Sequence, residues 1–228
     1  MLKIENTEVY GWEAAIRGMR NPLNSWDKSD TPCYLHVKCH ECSDNQKCDR
    51  YFSAYNDEKP YKKLGIGDND LKLMKNLAKA GSDHGKFMRM ITVTCDITAP
   101  LYWIAEHDTY KVGTVRNSCS FMHKGVSKPF TIDDFSVNDE SELLIVNSII
   151  PYLNELRDKY LETKDEKVFE AIRQVLPSGY NQRYTWQANY EVCRNIYKSR
   201  HNHRLKEWRD FCEFLKQLPY SELITGNE

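Results

Sequence analysis

Three features that would tie a protein to a membrane or to duplex nucleic acid are missing from this sequence. None of its apolar runs approaches the roughly 20 residues that a membrane-spanning helix needs. Its 32 basic and 33 acidic residues nearly cancel, and no block of like charge resembles a nucleic-acid-binding tail. We therefore expect neither a membrane nor duplex nucleic acid among its partners.

Several signature motifs are missing as well. The two glycines of GIGDND, residues 65–70, do not lie between a strand and a helix, as a dinucleotide-binding loop requires. No P-loop, nucleophile elbow or His-Glu-x-x-His helix is present. The first segment, MLKIENTEVYGW, lacks the basic and then apolar layout of a secretory signal. We expect a cytoplasmic protein whose eight cysteines are reduced thiols or metal ligands.

Residues 31–62 differ from the rest of the chain, because they are rich in Cys, Asn, Asp and Lys and show little periodicity. Four cysteines lie in this segment: Cys33, Cys39, Cys42 and Cys48. The central Cys-x2-Cys pair can place two thiolates on one turn, and a structural zinc site takes four such ligands. The flanking five-residue spacings are unusual for zinc knuckles. The segment is predicted to be an insertion that either binds zinc or carries unliganded thiols.

The remaining periodicity predicts an α+β fold dominated by helices, with a small sheet. We expect a single domain over residues 1–228 that includes the cysteine-rich insertion at 31–62. The predicted strands are residues 7–12 and 88–97. The predicted helices are a short one ending near Gly18 or Pro22, 69–81, one opening at Pro100, 140–162, 165–175, about 185–200 and 203–217.

Two polar clusters are candidates for a binding site. The turn after the Pro100 helix contains Lys111, Thr114, Arg116, Asn117, Ser118 and Ser120. In the predicted helix 185–200, Asn189 and Arg200 would lie about 20° apart around the axis, whereas Asn195 would face elsewhere. An arginine there suits forked contacts with phosphate or carbonyl oxygens. The alternative is an ordinary solvent-exposed polar helix. A lone histidine such as His84 is more often structural than ligand-facing.

The order of these features resembles the flavin-dependent thymidylate synthases. The shared pattern is His84 before a strand, the strand-to-helix segment ITVTCDITAPLYWIAEHD, a small polar turn, and Asn189, Asn195 and Arg200 at the family's spacing. The segment RLKEW is similar to the family's amide-aromatic-acid segment. The likeness covers residues 8–24 and 69–224. The segments AIRGMRNP, DTYKVGTV and LPYS are also similar to phage and prophage proteins, so the chain looks like a divergent, phage-type homologue.

The resemblance implies the family's α+β fold and a homotetramer with active sites shared among subunits. It implies transfer of a one-carbon unit from methylenetetrahydrofolate to C5 of the pyrimidine nucleotide dUMP, with FAD carrying the hydride and NADPH as a further co-substrate. By position, Arg200 would hold the uracil edge and stabilise negative charge on the ring. His84 would lie near the flavin as the second catalytic residue, and Asn189 and Asn195 would contact FAD.

The polar turn departs from the family's Arg-His-Arg-x-x-Ser-x-Asn-x-x-Ser-x-Arg motif. In one register, Lys111 falls on the second arginine. In a register shifted by one residue, Asn117 and Ser120 match the motif's Asn and final Ser, and Met122 replaces its last Arg. Glu106 replaces the Gln that precedes the motif. Two arginines are therefore lost, together with the charge-assisted phosphate contacts that they make.

Three basic residues could partly compensate for those arginines, as point charges or from new positions: Lys111, Arg116 and Lys124. The resemblance therefore implies Lys111 and Asn117 as further FAD-binding residues. It implies Ser120, Glu106 and Arg116 as substrate-binding residues beside Arg200.

Three functions remain open on the sequence. The first is a thymidylate-synthase-like enzyme that binds FAD and a pyrimidine nucleotide. The second is a catalytically inactive descendant that binds or sequesters a nucleotide, which the altered turn favours. The third is a zinc-bearing interaction module, which the cysteine segment favours.

Overall fold

The computed structural model describes residues 2–31 and 65–226. These residues form four strands and nine α-helices. The strands are β1 (Lys3–Tyr10), β2 (Thr92–Pro100), β3 (Thr114–Ser118) and β4 (Asn181–Asn189). The helices are α1 (Trp12–Arg20), α2 (Asp68–Lys79), α3 (Leu101–His107), α4 (Phe121–Lys124), α5 (Glu140–Thr163), α6 (Glu166–Val175), α7 (Tyr190–Arg200), α8 (Lys206–Gln217) and α9 (Glu222–Thr225).

The strands form one antiparallel sheet in the order β1-β2-β4-β3. Side chains alternate between its two faces, so Val93, Cys95 and Ile97 of β2 are buried while Thr94 and Asp96 between them are half-buried. The predicted helix-dominated α+β fold with a small sheet is confirmed. Within the described ranges, no helix combines the length and apolar character that crossing a membrane requires.

Contacts divide the chain into two compact units, which we call unit 1 and unit 2. Unit 1 comprises Met1–Asn6, Cys95–Lys111 and Val115–Trp186. Unit 2 comprises Thr7–Thr94, Val112–Thr114 and Gln187–Glu228. The prediction of one domain over residues 1–228 stays a prediction. The predicted insertion and its four cysteines lie outside the described residues, apart from Thr31.

Unit 1 is built around the helical pair α5 and α6. Its core cluster consists of Val126, Phe130, Phe135, Val146, Leu153, Phe169 and Ile172. Helix α5 begins where the Asp139 carboxylate accepts the Glu142 N–H at 2.9 Å, which satisfies one of the free donors of a helix start. The Asn154 amide then bonds both the N–H and the carbonyl of Phe130, at 2.8 and 3.0 Å. The segment before α5 is thereby fixed against the helix.

A hydrogen-bond network centred on Asp96 joins three strands within unit 1. Its carboxylate accepts from Asn6 of β1 at 2.9 Å, and from Thr185 and Arg183 of β4 at 2.6 and 2.9 Å. These bonds from Thr185, Asn6 and Arg183 lower the pKa of Asp96 to about 2, because they favour the charged form.

A buried ion pair organises unit 2. Arg20 at the end of α1 donates to Asp70 of α2 at 2.6 Å, and both side chains are at most 5% exposed. Asp70 also accepts from the hydroxyls of Ser29 and Thr31, at 2.7 and 2.5 Å. Burial alone would raise the pKa of Asp70, but the hydrogen bonds from Thr31, Ser29 and Arg20 lower it. The carboxylate is therefore charged and fully satisfied.

Helix α2 is capped from outside its own sequence. The N-cap residue is Gly67, which has no side chain to cap the helix. Instead, Asp30 accepts the backbone N–H groups of Asn69 and Asp70 at 2.9 and 3.1 Å. Gly67 also donates to the Thr31 hydroxyl at 3.0 Å, and a Cβ at Gly67 would lie 2.2 Å from Asp30 Oδ1. Only glycine allows this approach.

The predicted helix at 185–200 is partly wrong. Residues Asn181–Asn189 form β4, and the helix begins at Tyr190. The reason is that Tyr184, Trp186 and Ala188 alternate into the core with polar residues between them, which is a strand pattern. The polar turn after α3 likewise contains a short strand, β3, that the sequence analysis missed. The strand and helix predictions near 7–12, 69–81, 88–97, 140–162, 165–175 and 203–217 are confirmed to within a few residues.

We expect Asp70→Ala to lower the free energy of unfolding by about 3–5 kcal/mol, because it leaves the buried Arg20 without a counter-charge. Urea unfolding at neutral pH measures this. Asp133→Ala, which removes an exposed carboxylate, is the control and should change the value by less than about 0.5 kcal/mol. Equal effects of the two variants would show that the ion pair does not hold unit 2 together.

Asp96 should make stability depend on pH in acid. Its pKa of about 2 lies below the value of about 3.9 for an unfolded chain. The stabilisation from Asp96 is therefore complete above about pH 4 and is lost as the pH falls toward about 2. The difference in unfolding free energy between wild type and Asp96→Asn should shrink across that window. A difference that stays constant across this window would contradict the assignment.

Candidate functional site

The predicted site residues fall into two groups, one in each unit. The Arg200 group, in unit 2, consists of His84, Asn189, Asn195 and Arg200. The Arg116 group, in unit 1, consists of Glu106, Lys111, Arg116, Asn117 and Ser120. The structure brings the residues of each group together to different degrees.

Arg200, the last residue of α7, lies against an aromatic ring. Its guanidinium carbon is 4.7 Å from the centre of the Trp208 indole, and its side chain is half-buried. Trp208 is fully buried and contacts His203 and Phe211 edge-on. A guanidinium stacked on a ring that cannot move is held in one plane, which suits recognition of the edge of a flat ligand.

Asn189 lies at the junction of β4 and α7. Its side-chain oxygen accepts the Val192 N–H at 3.0 Å, so Asn189 is the N-cap of the helix. Asn189 therefore lies immediately before α7 and Arg200 is its last residue, about 16 Å away along the axis; the prediction that the two share one helical face stays a prediction. The amide nitrogen of Asn189 lies over Gly113, where a Cβ would be 3.1 Å away.

The other two members of the Arg200 group are exposed. Asn195 lies on the solvent side of α7, and His84 precedes a 3₁₀ helix, Gly85–Met90. Arg89 of this 3₁₀ helix forms an ion pair with Glu191 of α7. Arg194 of α7 donates to the Ala78 carbonyl of α2 at 2.5 Å. Helix α7 is thus tied to the segment that contains His84 and to α2.

In the Arg116 group, the arginine already has partners on three sides. Its guanidinium carbon lies 4.3 Å from the centre of the Tyr184 ring. One terminal nitrogen donates to Gln182 at 2.8 Å, and the other donates to the carboxylate of Asp108. Its Nε is buried and has no hydrogen-bond partner within the described ranges. Arg116 is therefore held in a fixed orientation before any ligand binds.

The ring beneath Arg116 belongs to a buried aromatic cluster in unit 1. The Tyr184 hydroxyl and His107 Nδ1 are 3.0 Å apart, and the His107 ring stacks on Trp103 with centres 4.6 Å apart. Burial, and then the charge of Arg116, lower the pKa of His107 to about 3. Burial likewise raises the pKa of Tyr184. Both side chains are neutral at physiological pH, so the cluster adds no charge next to Arg116.

The remaining members of the Arg116 group occupy different environments. Lys111 and Asn117 are exposed, whereas Glu106 and Ser120 are half-buried. Ser120 occupies the N-cap position of α4, although its side chain makes no capping bond. Sequence reasoning missed Asp108, Gln182 and Tyr184, which hold Arg116. The alternation of apolar and polar residues in β4 is the sequence signal that could have identified Gln182 and Tyr184.

The described residues do not offer a metal site. Between residues 2 and 31 and between 65 and 226, no three His, Cys, Asp or Glu side chains cluster in a way that could hold an ion. The predicted zinc ligands Cys33, Cys39, Cys42 and Cys48 lie outside these ranges. Of the four cysteines that are described, only Cys119 is exposed.

The sequence matches no protein-family model and no curated protein. The structure is similar to flavin-dependent thymidylate synthase ThyX from Helicobacter pylori complexed with FAD and dUMP, with TM-score 0.67 and 14% identity over 98% of each chain. A second structure of that enzyme with FAD and dUMP gives TM-score 0.63 and 14% identity, over 100% of this chain and 99% of that one. The UMP/dUMP methylase PolB from Streptomyces cacaoi, bound with 5-Br dUMP, gives 0.57 and 14%, over 99% and 95%. The chain therefore has the fold of the flavin-dependent thymidylate synthases.

Asn189 and Asn195 should differ in what they do for stability. Asn189→Ala removes the N-cap of α7 and should lower the free energy of unfolding by about 0.5–2 kcal/mol. Asn195→Ala, on an exposed helical surface, should change it by less than about 0.5 kcal/mol. Urea unfolding of both variants measures the difference. If Asn189→Ala is as stable as wild type, the cap contributes nothing and the residue can be assigned to ligand binding alone.

Proposed function

We propose that this protein binds FAD and a pyrimidine nucleotide such as dUMP, and that it transfers a one-carbon unit to C5 of the base. One observation carries the proposal: the fold matches, over 98% of the chain, that of an enzyme whose structure contains FAD and dUMP. The likeness to a dUMP methylase supports the same substrate class.

The residues present suit a flavin. An isoalloxazine ring offers carbonyl oxygens to hydrogen-bond donors, and the diphosphate of FAD carries negative charge. Asn195 is an exposed amide on α7, and Asn189 retains its amide nitrogen because only its oxygen caps the helix. Lys111 is an exposed cation, and Asn117 adds a further amide. When bound, FAD would supply the hydride chemistry, while these residues bind and orient it.

In the proposal, Arg200 recognises the nucleotide base. Its guanidinium carbon lies over the Trp208 ring, and a guanidinium is suited to donating to the carbonyl edge of uracil. The same charge would stabilise negative charge that develops on the ring during transfer. His84, exposed beside α7, is assigned next to the flavin. Arg200 and His84 are both assigned as catalytic residues.

Arg116, Ser120 and Glu106 are assigned to substrate binding. Arg116 and the Ser120 hydroxyl can donate to phosphate oxygens, and Glu106 can accept from a hydroxyl or an N–H group. The proposal includes methylenetetrahydrofolate and NADPH as co-substrates and a homotetramer in which active sites are shared among subunits. It also includes a cytoplasmic, phage-type protein.

A second candidate function is nucleotide binding without catalysis. The contacts of Arg116 favour it, because the guanidinium already donates hydrogen bonds to Asp108 and Gln182. Such a protein would bind or sequester a pyrimidine nucleotide. The zinc-bearing interaction module depends on cysteines outside the described residues and gains no support from the described part of the chain.

The proposed function is tested by titrating the purified protein with FAD and with dUMP, using thermal shift and calorimetry. Wild type should bind both, and Arg200→Ala should lose about tenfold or more in dUMP affinity, because a charged hydrogen-bond donor contributes about 1.5–3 kcal/mol. Lys198→Ala removes another cation from the same helix, where it is exposed, and is the matched control. Conversion of dUMP, followed by mass spectrometry with FAD, methylenetetrahydrofolate and NADPH, measures catalysis.

The outcomes separate the two candidates. Binding of FAD and dUMP together with a methylated product supports the enzyme. Binding of a pyrimidine nucleotide without product under any of these conditions supports the non-catalytic protein. A wild-type protein that responds to neither FAD nor any pyrimidine nucleotide contradicts both.

A further inference from the structure

The three partners of Arg116 differ in how firmly they are held. Tyr184, beneath the guanidinium, is 1% exposed and is hydrogen-bonded to His107, which is 2% exposed. Gln182 is fixed at both ends of its amide, because its Nε2 donates to the Cys119 carbonyl at 2.9 Å. Moving either residue would disrupt β4 or the aromatic cluster. These two partners therefore form a rigid support for the arginine.

Asp108 is the one partner at the surface. It follows α3 directly and its side chain is 45% exposed, against 21% for Arg116. An ion pair this exposed contributes little to stability. An anion from solution can therefore replace the carboxylate without disturbing a core contact.

A phosphate monoester matches the group that Asp108 presents to Arg116. Both offer anionic oxygens to the terminal guanidinium nitrogen that Asp108 now contacts, and such a nitrogen forms charge-assisted hydrogen bonds with carboxylate and phosphate alike. The phosphate carries more charge than the carboxylate, so it is the stronger competitor. Ser118 lies two residues after Arg116 in β3, so its hydroxyl is on the same face of the strand and is a further donor.

From these observations we infer that Arg116 is the anchor of a phosphate-monoester site which Asp108 occupies in the ligand-free chain. The nucleotide phosphate binds by displacing Asp108, so Asp108 sets the affinity as an internal competitor. This inference rests on the proposed nucleotide-binding function and deepens it. It also explains how one arginine, at a position of the turn where the resembling family's motif specifies no arginine, can serve a phosphate while being paired when no ligand is bound.

The alternative is a purely structural ion pair. In that case Asp108 would stabilise α3 and β3, and removing its charge would change stability but not ligand affinity. The exposure of Asp108 and the rigidity of Gln182 and Tyr184 argue against it. A permanent ion pair does not need a buried aromatic platform beneath one of its members.

The experiment measures binding of dUMP, of deoxyuridine and of inorganic phosphate at constant ionic strength, to wild type and to Asp108→Asn. Asparagine keeps an oxygen that can accept from Arg116 but removes the competing charge. We expect dUMP and inorganic phosphate to bind about two- to fivefold more tightly to Asp108→Asn, the range that an exposed ion pair allows. Deoxyuridine, which lacks the phosphate, should bind both proteins equally. Asp158→Asn removes a carboxylate from another exposed Arg–Asp pair in unit 1 and should change none of these affinities.

Arg116→Gln should abolish the gain that Asp108→Asn gives when the two changes are combined. Arg116→Lys, which keeps the charge but not the planar guanidinium, replaces Arg116→Gln in this test if Arg116→Gln does not fold. Unchanged dUMP affinity in Asp108→Asn, with normal binding by wild type, overturns the inference and leaves the proposed function standing. If neither protein binds dUMP, the proposed function fails. The phosphate titration then decides: tighter phosphate binding by Asp108→Asn upholds the site, and equal or absent binding overturns it.

Discussion

Both candidate arginines lie on aromatic rings that the core holds in place. Arg200 stacks on the buried Trp208, and Arg116 stacks on the buried Tyr184. A free arginine side chain has about 2 kcal/mol of rotamer entropy to lose on binding. Stacking removes much of that loss in advance, because the ring restricts the guanidinium to one plane. The capacity of each group to bind a flat or anionic ligand therefore depends on the packing beneath it.

The buried aromatic cluster beneath Arg116 also carries no charge. His107 and Tyr184 share a hydrogen bond, and burial keeps both neutral at physiological pH. A charged histidine at this place would repel the guanidinium and weaken its orientation. The charge balance at Arg116 is therefore set at the surface, by Asp108, and not by the core. This is the arrangement expected where an anion is exchanged at the surface of a rigid support.

Asn189 shows how one side chain can serve structure and recognition together. Its oxygen caps α7, which fixes the direction in which the helix leaves β4. Its nitrogen is left over Gly113, where only glycine leaves room. A residue bound in this way presents its remaining donor in a defined position. Asn195, by contrast, is an ordinary exposed position, and its assignment to FAD depends on the resemblance alone.

The sequence by itself determined those helices and strands whose apolar residues repeat with one regular spacing. The stripe of α5 and the alternation of β2 were predicted correctly, and the order of motifs led to the fold that the structure shows. Only the tertiary structure decided that β4 precedes α7, that Asp30 caps α2 from 39 residues away, and that Arg116 is held by Gln182 from 66 residues away. The physical reason is that periodicity reports which face of a segment is buried, whereas capping bonds, ion pairs and stacking depend on residues that folding brings together from distant parts of the chain.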